Sequence, residues 1–411
     1  MTIFSAISLI ITLSALLSYI NNKWLKLPST IGVMTLSILI GITLKLTEQF
    51  YPEQIAPIRE NLSSFNFSSF VLDIVLCFLL FAGSLHVNWS DLKETKATVI
   101  SFATIGTLLS TLMLGFLAKW ILSAIGFEVS LIQCLLFGAL ISPTDPIAVI
   151  GILTKYSIPK KLKMEIVGES LFNDGVGVVV FTIIYTVMEL GIESITGSSI
   201  LKIFCLEVFG GIGVGLIVGY CGYLFIKHID HYQTEVLVTL AIVMGGYSLA
   251  SVMHASGPLA MVIAGLLIGN RGKRLGMSDI TASYVDKFWE LIDEICNTIL
   301  FALMGLEVFL LPFQPSYLLS GLLFVVLALL VRFISLLPTY MVFNRNEKNK
   351  FLGLKVLTWG GLRGGISIAL ALSLANKSEF GNLFLVITFC IVVFSILVQG
   401  LSISKLLRKY N

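Results

Sequence analysis

Residues 142–146 read Ser-Pro-Thr-Asp-Pro, and they interrupt a predominantly apolar run that extends from about residue 129 to 154. Each proline removes a backbone hydrogen-bond donor and disfavours helical backbone at the residue before it, so a regular helix cannot continue through the segment. Unwound backbone at membrane depth is tolerated only where protein or water satisfies it. The segment is therefore predicted to line a buried site.

The composition around this break is that of a membrane protein. Of 411 residues, 56% are hydrophobic and 12% are charged, and the mean hydropathy is +0.96. Such a chain would leave large apolar surfaces in water, whereas a bilayer accommodates it as helices of about 20 residues. No soluble domain fits this composition, and a net charge of +3 spread over loops offers nucleic acid no basic surface.

Short polar joints divide the chain into thirteen predicted membrane spans. They cover roughly residues 3–22, 28–47, 68–87, 97–123, 129–154, 163–190, 200–226, 234–253, 257–271, 288–311, 316–342, 351–375 and 380–404. The first span has no basic leader and no small-residue cleavage site, so we expect it to be retained as a helix.

Basic residues alternate between the joints. The joints after odd-numbered spans hold most of them, such as Lys160 and Lys161, whereas the intervening joints hold only Arg59 and Lys377. Cytoplasmic loops are the basic ones. The pattern predicts a multi-pass protein of the cell inner membrane, with its amino terminus outside and its carboxyl terminus in the cytoplasm.

A second break lies in span twelve, where residues 360–365 read Gly-Gly-Leu-Arg-Gly-Gly. Spans five and twelve are seven apart and so run in opposite directions, which is typical of inverted repeats, here spans one to six and eight to thirteen. If the breaks cross, Asp145 and Arg363 have the charges that neutralise the half-helix ends. The predicted fold is an all-α integral membrane protein of about thirteen transmembrane helices, with two inverted six-helix repeats and two crossing discontinuous helices. The alternative is a pair of kinked helices that only improve packing.

Span six carries a narrow polar stripe. Glu169 and Asn173 are four residues apart, as are Ser170 and Asp174, so these side chains share one helix face. A carboxylate at the bilayer centre costs at least ~2.5 kcal/mol, so it should face a partner or a water-filled cavity. Because Asp174 has no evident basic partner in the sequence, we expect it to bind a cation or a proton.

Glu169 has a candidate partner in Arg332, a lone cation in span eleven. Either charge would be costly alone in hydrocarbon, so we interpret the two as a structural ion pair. A purely structural role is also the alternative interpretation of Asp174.

A sodium site can be assembled from these residues, because hard monovalent ions prefer carboxylate, hydroxyl and carbonyl oxygens. Asp174 supplies the charge, Ser170 a hydroxyl one turn earlier, and Thr144 a hydroxyl and freed carbonyl groups. Asn173 adds a neutral amide. One carboxylate can hold either a proton or a monovalent cation, so competition there produces exchange without net charge movement. An aspartate in place of Asn173 would indicate a second proton carrier.

Three segments resemble the hallmark segments of the sodium/proton exchanger type of monovalent cation:proton antiporters, specifically their compact prokaryotic members. They read Ser-Pro-Thr-Asp-Pro-Ile-Ala-Val at 142–149, Gly-Glu-Ser-Leu-Phe-Asn-Asp-Gly at 168–175 and Trp-Gly-Gly-Leu-Arg-Gly-Gly at 359–365. The likeness extends from the first span to the last and includes Arg332 and the Ser-Gly-Pro-Leu-Ala stretch at 256–260.

The resemblance implies that the protein is an antiporter and not an enzyme. It would exchange Na⁺, or alternatively Li⁺ or K⁺, for H⁺ by alternating access, and would support pH and sodium homeostasis. It implies electroneutral exchange, a homodimer in membrane lipid, and no cofactor. An interface domain would comprise residues 1–96 and 200–311, and an ion-transport core residues 97–190 and 316–404. A short cytoplasmic tail would cover residues 405–411.

The resemblance also implies roles for individual residues. Asp174 would carry the cation and the proton, Thr144 and Ser170 would be ligands, and Asp145 would support the site through water or helix capping. Glu169 with Arg332 would be an ion pair of the core.

One position departs from the family pattern. Relatives often carry an acid in span three within a Leu-Phe-acid-Gly motif, whereas residues 80–83 here read Leu-Phe-Ala-Gly. A carboxylate ligand or gate at Ala82 would therefore be missing, and Asp73, nine residues earlier, lies at a different depth.

Two other classes of membrane protein also require acids in the bilayer. An intramembrane aspartyl protease could use Asp145 and Asp174, but no Gly-x-Gly-Asp motif occurs and Arg363 would have no role. A cation channel usually arranges repeats around one axis, whereas inverted repeats suit alternating access. A potassium/proton antiporter of the same fold is the remaining alternative.

Overall fold

The computed structural model describes residues 3–145, 147–153, 156, 158–191, 196–312, 314–345, 350–375, 377–378 and 380–408. Pro146 of the predicted first break lies outside the described residues, as does the tail from residue 409.

The described chain is helical throughout, without a β-strand. Its helices are Ile3–Ile20, Ser29–Phe50, Pro52–Ser63, Phe67–Leu85, Trp89–Ile125, Leu131–Ile141, Ile147–Leu153, Lys160–Leu190, Gly197–Lys227, Tyr232–Val252, Gly257–Leu267, Lys273–Gly276, Asp279–Glu307, Pro315–Phe343, Lys350–Gly360, Gly365–Ala375 and Gly381–Leu407. Each of the thirteen predicted spans corresponds to one of these helices or, for spans five and twelve, to two half-helices. Eight described helices are long and apolar enough to cross a membrane by themselves.

Two boundaries differ from the prediction by about two helical turns. Span four begins at Trp89 and span ten at Asp279, whereas the sequence placed them at 97 and 288. The added turns are rich in charged residues, which hydropathy assigns to joints although the backbone is helical. A helix that was not predicted, Pro52–Ser63, follows span two and is largely exposed.

Aromatic contacts show how the spans pack. Phe137 of span five stacks on Phe384 of span thirteen, with ring centroids 5.0 Å apart, and meets Phe324 of span eleven edge-on at 5.4 Å. In a second hydrophobic cluster, Phe81 of span three packs on Trp289 of span ten at 4.7 Å. Such pairs stabilise the packing beyond their area burial. Residues of both clusters, such as Val71 and Leu80, line one cavity.

The breaks in spans five and twelve cross. The first half of span five ends at Ile141 and the second begins at Ile147, and span twelve is interrupted between Gly360 and Gly365. The backbone N–H of Asp145 donates to the carbonyl oxygen of Leu362 at 2.8 Å, which forms an isolated antiparallel bridge between the unwound segments. The predicted crossing of two discontinuous helices is confirmed.

Candidate ion-binding site

Arg363 satisfies the end of the neighbouring half-helix. Its buried guanidinium donates to the carbonyl oxygen of Ser142 and, at 2.8 Å, to that of Pro143, just beyond the last residue of the half-helix that ends at Ile141. Free carbonyl groups at a helix carboxyl end carry partial negative charge. The backbone N–H of Arg363 in turn donates to Ser395 Oγ of span thirteen at 2.9 Å. The buried guanidinium of Arg363 thus satisfies carbonyl groups that the interrupted helix leaves without a partner in its own backbone.

Asp145 lies at the amino end of a half-helix of span twelve. A Cβ at Gly364 would overlap its carboxylate, so the carboxylate sits directly against the backbone that precedes the half-helix Gly365–Ala375. Helix amino ends carry partial positive charge, which a carboxylate stabilises. The signs of Asp145 and Arg363 therefore suit the ends that each one meets.

Thr144 is held by two side chains of span six. The Asn173 side chain accepts from the backbone N–H of Thr144 at 3.3 Å and donates to Thr144 Oγ1 at 2.8 Å. Thr144 Oγ1 also lies 3.2 Å from Ser170 Oγ. All three residues are buried. Asn173 thus fixes the hydroxyl of Thr144 beside that of Ser170.

Asp174 completes this polar group from one turn beyond Ser170. Its side chain is buried, and within the described part of the chain its carboxylate forms neither a hydrogen bond nor an ion pair. Asp174, Ser170 and Asp145 line a cavity of about 710 Å³, which Lys160 and Lys163 at the start of span six also line. A carboxylate buried at membrane depth is costly, and a proton or a bound cation lowers that cost.

Glu169 and Arg332 contact each other through two hydrogen bonds. Arg332 Nη2 donates to Glu169 Oε2 at 2.8 Å, and Nη1 donates to Oε1. Both side chains are buried, and the guanidinium lies against Gly361 of the second break. The paired geometry matches the planar fork of arginine to the carboxylate. Glu169 is therefore turned away from the cavity that Asp174 faces.

Comparison with known proteins identifies the family of this chain. Residues 11–409 match the family described as sodium/hydrogen exchanger, transmembrane. The chain belongs to this exchanger family. It is 46% identical over 404 residues to the Na⁺/H⁺ antiporter NhaP of Pseudomonas aeruginosa. This alignment covers 97% of this chain and 95% of that protein. It is 33% identical to the Na⁺/H⁺ antiporter NhaH of Halobacillus dabanensis, over 94% of this chain and 93% of that protein.

Solved structures share the fold of this exchanger. The sodium proton antiporter MjNhaP1 of Methanocaldococcus jannaschii, described at pH 8, superposes with a TM-score of 0.73 at 20% identity, over 99% of this chain and 98% of that one. A second structure of the same antiporter superposes with a TM-score of 0.76 at 23% identity, over 100% and 98%.

Some features of this exchanger's site were not predicted. Sequence reasoning did not identify Ser395 as the acceptor for Arg363, because its only signal is a hydroxyl in an apolar span. Ala82 is buried and does not line the cavity, whereas its neighbours Leu80 and Gly83 do. Asp293 and Asn297 of span ten also line the cavity, although the sequence alone did not distinguish them from other membrane polar groups.

The close contact between span six and the first break predicts a strong effect of one methyl group. A Cβ at Gly177 would overlap the ring of Pro143, the residue before Thr144. We expect Gly177→Ala to displace Thr144 and to lower cation-dependent proton exchange at least about tenfold, since misplacing a site by about 1 Å is costly.

The matched control is Gly213→Ala in span seven, where a Cβ would meet nothing within 4 Å. Initial rates in proteoliposomes compare the two variants with the unmodified protein. Equal rates for all three would show that the contact with Pro143 does not position the site.

Proposed function

We propose that this exchanger is a secondary transporter that exchanges Na⁺ for H⁺ across the cell inner membrane and so supports pH and sodium homeostasis. The observation that carries the proposal is the buried carboxylate of Asp174, unpaired within the described residues and facing the cavity next to the hydroxyl groups of Thr144 and Ser170. Curated relatives that share 46% and 33% identity are named Na⁺/H⁺ antiporters, which supports sodium over the alternative of potassium.

Competition at one carboxylate provides the mechanism. Asp174 binds either a proton or a sodium ion, and Ser170 and Thr144 supply hydroxyl oxygens that suit a hard cation. Asn173 keeps Thr144 in place through its two hydrogen bonds, and Asp145 supports the crossing. Because one proton replaces one monovalent cation, the cycle is electroneutral. Asp174 changes its exposure from one side of the membrane to the other only while it holds sodium or a proton.

The organisation of the protein follows from the same proposal. Residues 97–190 and 316–404 form a mobile ion-transport core, and residues 1–96 and 200–311 form an interface domain through which the protein dimerises. The side of the cavity that Lys160 and Lys163 line is the cytoplasmic side, and the carboxyl terminus lies on the same side of the membrane. The protein acts as a transporter and not as an enzyme, and it requires no cofactor beyond its transported ions.

Proteoliposomes with a preset pH gradient test the proposal. Adding sodium should dissipate the gradient. Lithium and potassium, added in separate experiments, rank the ions by the rate that each produces. A membrane potential imposed with valinomycin should leave the rate with sodium unchanged. Dissipation by potassium alone would establish the potassium/proton alternative, and a unitary conductance in a bilayer recording would indicate a channel.

Competition also sets the pH dependence of sodium affinity. While Asp174 is mostly protonated, sodium must displace a proton, so the apparent KM for sodium is expected to fall about tenfold for each unit of rising pH. The fall should end once the carboxylate is mostly ionised. Initial rates over a matrix of pH and sodium concentration measure this slope, and a KM that is independent of pH would contradict competition at one group.

A further inference from the structure

Span ten presents a polar face to the cavity, separate from the stripe of span six. Glu290, Asp293, Glu294 and Asn297 line the cavity and are spaced three or four residues apart, so they lie on one side of the helix. On this face Glu290 and Glu294 are exposed, Asp293 is half-buried and Asn297 is 2% exposed. With a rise of 1.5 Å per residue, Asn297 lies about 10 Å along the helix from Glu290.

Trp289 fixes the rotation that turns this face toward the cavity. The indole is fully buried, its Nε1–H donates to Thr239 Oγ1 of span eight at 2.9 Å, and its ring packs on Phe81 of span three. A hydrogen-bonded, buried tryptophan holds a helix face in one orientation. Asp293, one turn further along the helix, is thereby held at the cavity wall.

Asn297 distinguishes this face from an ordinary solvated run of charges. Its Oδ1 is buried and has no hydrogen-bond partner among the described residues, although the residue lines a cavity. Leaving a buried polar atom unsatisfied is costly. A cation that coordinated this amide oxygen would remove the cost, and a carbonyl oxygen beside a carboxylate is a donor set that hard cations prefer.

Asp293 supplies the charge one turn before Asn297. Within the described residues no ion pair involves Asp293, although Lys160 and Lys163 line the same cavity. Asp145 lies close enough to interact electrostatically with both Asp293 and Asp174. A cation held at Asp293 would reduce the repulsion between the carboxylates, in the same cavity that Asp174 lines.

The kind of ion follows from the number of carboxylates. No group of three or more His, Cys, Asp or Glu side chains among the described residues is arranged to hold a metal ion. One carboxylate and one amide oxygen are too few for a divalent-ion cage, which needs six to eight oxygens for Ca²⁺. They suit a monovalent cation that keeps part of its water shell.

We propose that Asp293 and Asn297 form a second cation-binding position, which holds one partly hydrated monovalent cation in the cavity that Asp174 also lines. The inference rests on the proposed exchange of sodium for protons, because the ion held here is the one that next reaches the carrier. The position loads the cavity and does not exchange its ion for a proton.

Equilibrium binding of radioactive sodium to the purified protein tests this position without transport. In an Asp174→Asn background, saturable sodium binding is expected to persist. Adding Asp293→Asn should weaken it at least about tenfold, the effect of one lost charge-assisted contact. Adding Asp279→Asn instead, which neutralises an exposed acid at the start of the same helix that does not line the cavity, should leave the binding unchanged.

A second variant guards against a folding defect. Asn297→Asp adds a carboxylate beside Asp293, so in the Asp174→Asn background it should tighten sodium binding, a gain that misfolding cannot produce. The proposal is overturned if Asp174→Asn alone removes all saturable binding, if that binding survives Asp293→Asn, or if Asn297→Asp does not tighten it. Because binding needs no transport, a chain that fails to exchange sodium for protons can still bind sodium at Asp293, and the two failures are distinguishable.

Discussion

Asp174→Asn is expected to reduce sodium-dependent proton exchange to the rate of liposomes that contain no protein. Asparagine has nearly the same shape but cannot ionise, so it neither balances the charge of sodium nor carries a proton. The Asp174 carboxylate has no protein partner within the described residues, and the variant therefore breaks no hydrogen bond or ion pair there. Dissipation of a preset pH gradient in proteoliposomes measures the loss.

The control for this variant makes the same chemical change elsewhere in the membrane region. Asp73→Asn replaces an exposed carboxylate of span three that does not line the cavity, and we expect its exchange rate to stay within about twofold of the unmodified protein, as for most surface changes. Exchange that survives Asp174→Asn would mean that another group carries the ions.

Breaking the buried pair of Glu169 and Arg332 should produce the largest loss of stability. Arg332→Met leaves the Glu169 carboxylate buried without either of its hydrogen bonds, and Glu169→Gln leaves the guanidinium without its counter-charge. Removing one partner of a buried ion pair typically costs about 3–5 kcal/mol. We expect each single variant to unfold at a clearly lower temperature in detergent.

The double variant separates charge burial from packing. When both partners are replaced by neutral side chains, no uncompensated charge remains, so Glu169→Gln with Arg332→Met should be more stable than either single variant. Size-exclusion chromatography after heating measures the three transitions. A double variant that loses as much stability as the two single losses combined would show that the two residues act independently.

Much of this fold could be predicted from the sequence, because the bilayer imposes local rules. The thirteen apolar runs, the two breaks and the stripe that holds Asp174 depend on hydropathy, proline and glycine chemistry and helical spacing, all of which are properties of short segments. Pairing of Glu169 with Arg332 could also be predicted, since each was an isolated charge that needed a partner.

The tertiary structure alone decided which backbone groups and which neutral side chains meet. The backbone bridge from Asp145 to Leu362 and the carbonyl groups that Arg363 satisfies leave no trace in side-chain chemistry, because every residue carries a backbone donor or acceptor of the same kind. The two hydrogen bonds of Asn173 to Thr144, and the unsatisfied oxygen of Asn297 at the cavity wall, depend on the rotation and depth of packed helices. The sequence by itself determined where helices form and which charges need partners. Only the packing of distant spans determined which backbone groups Asp145 and Arg363 meet, and which polar atoms remain free to bind an ion.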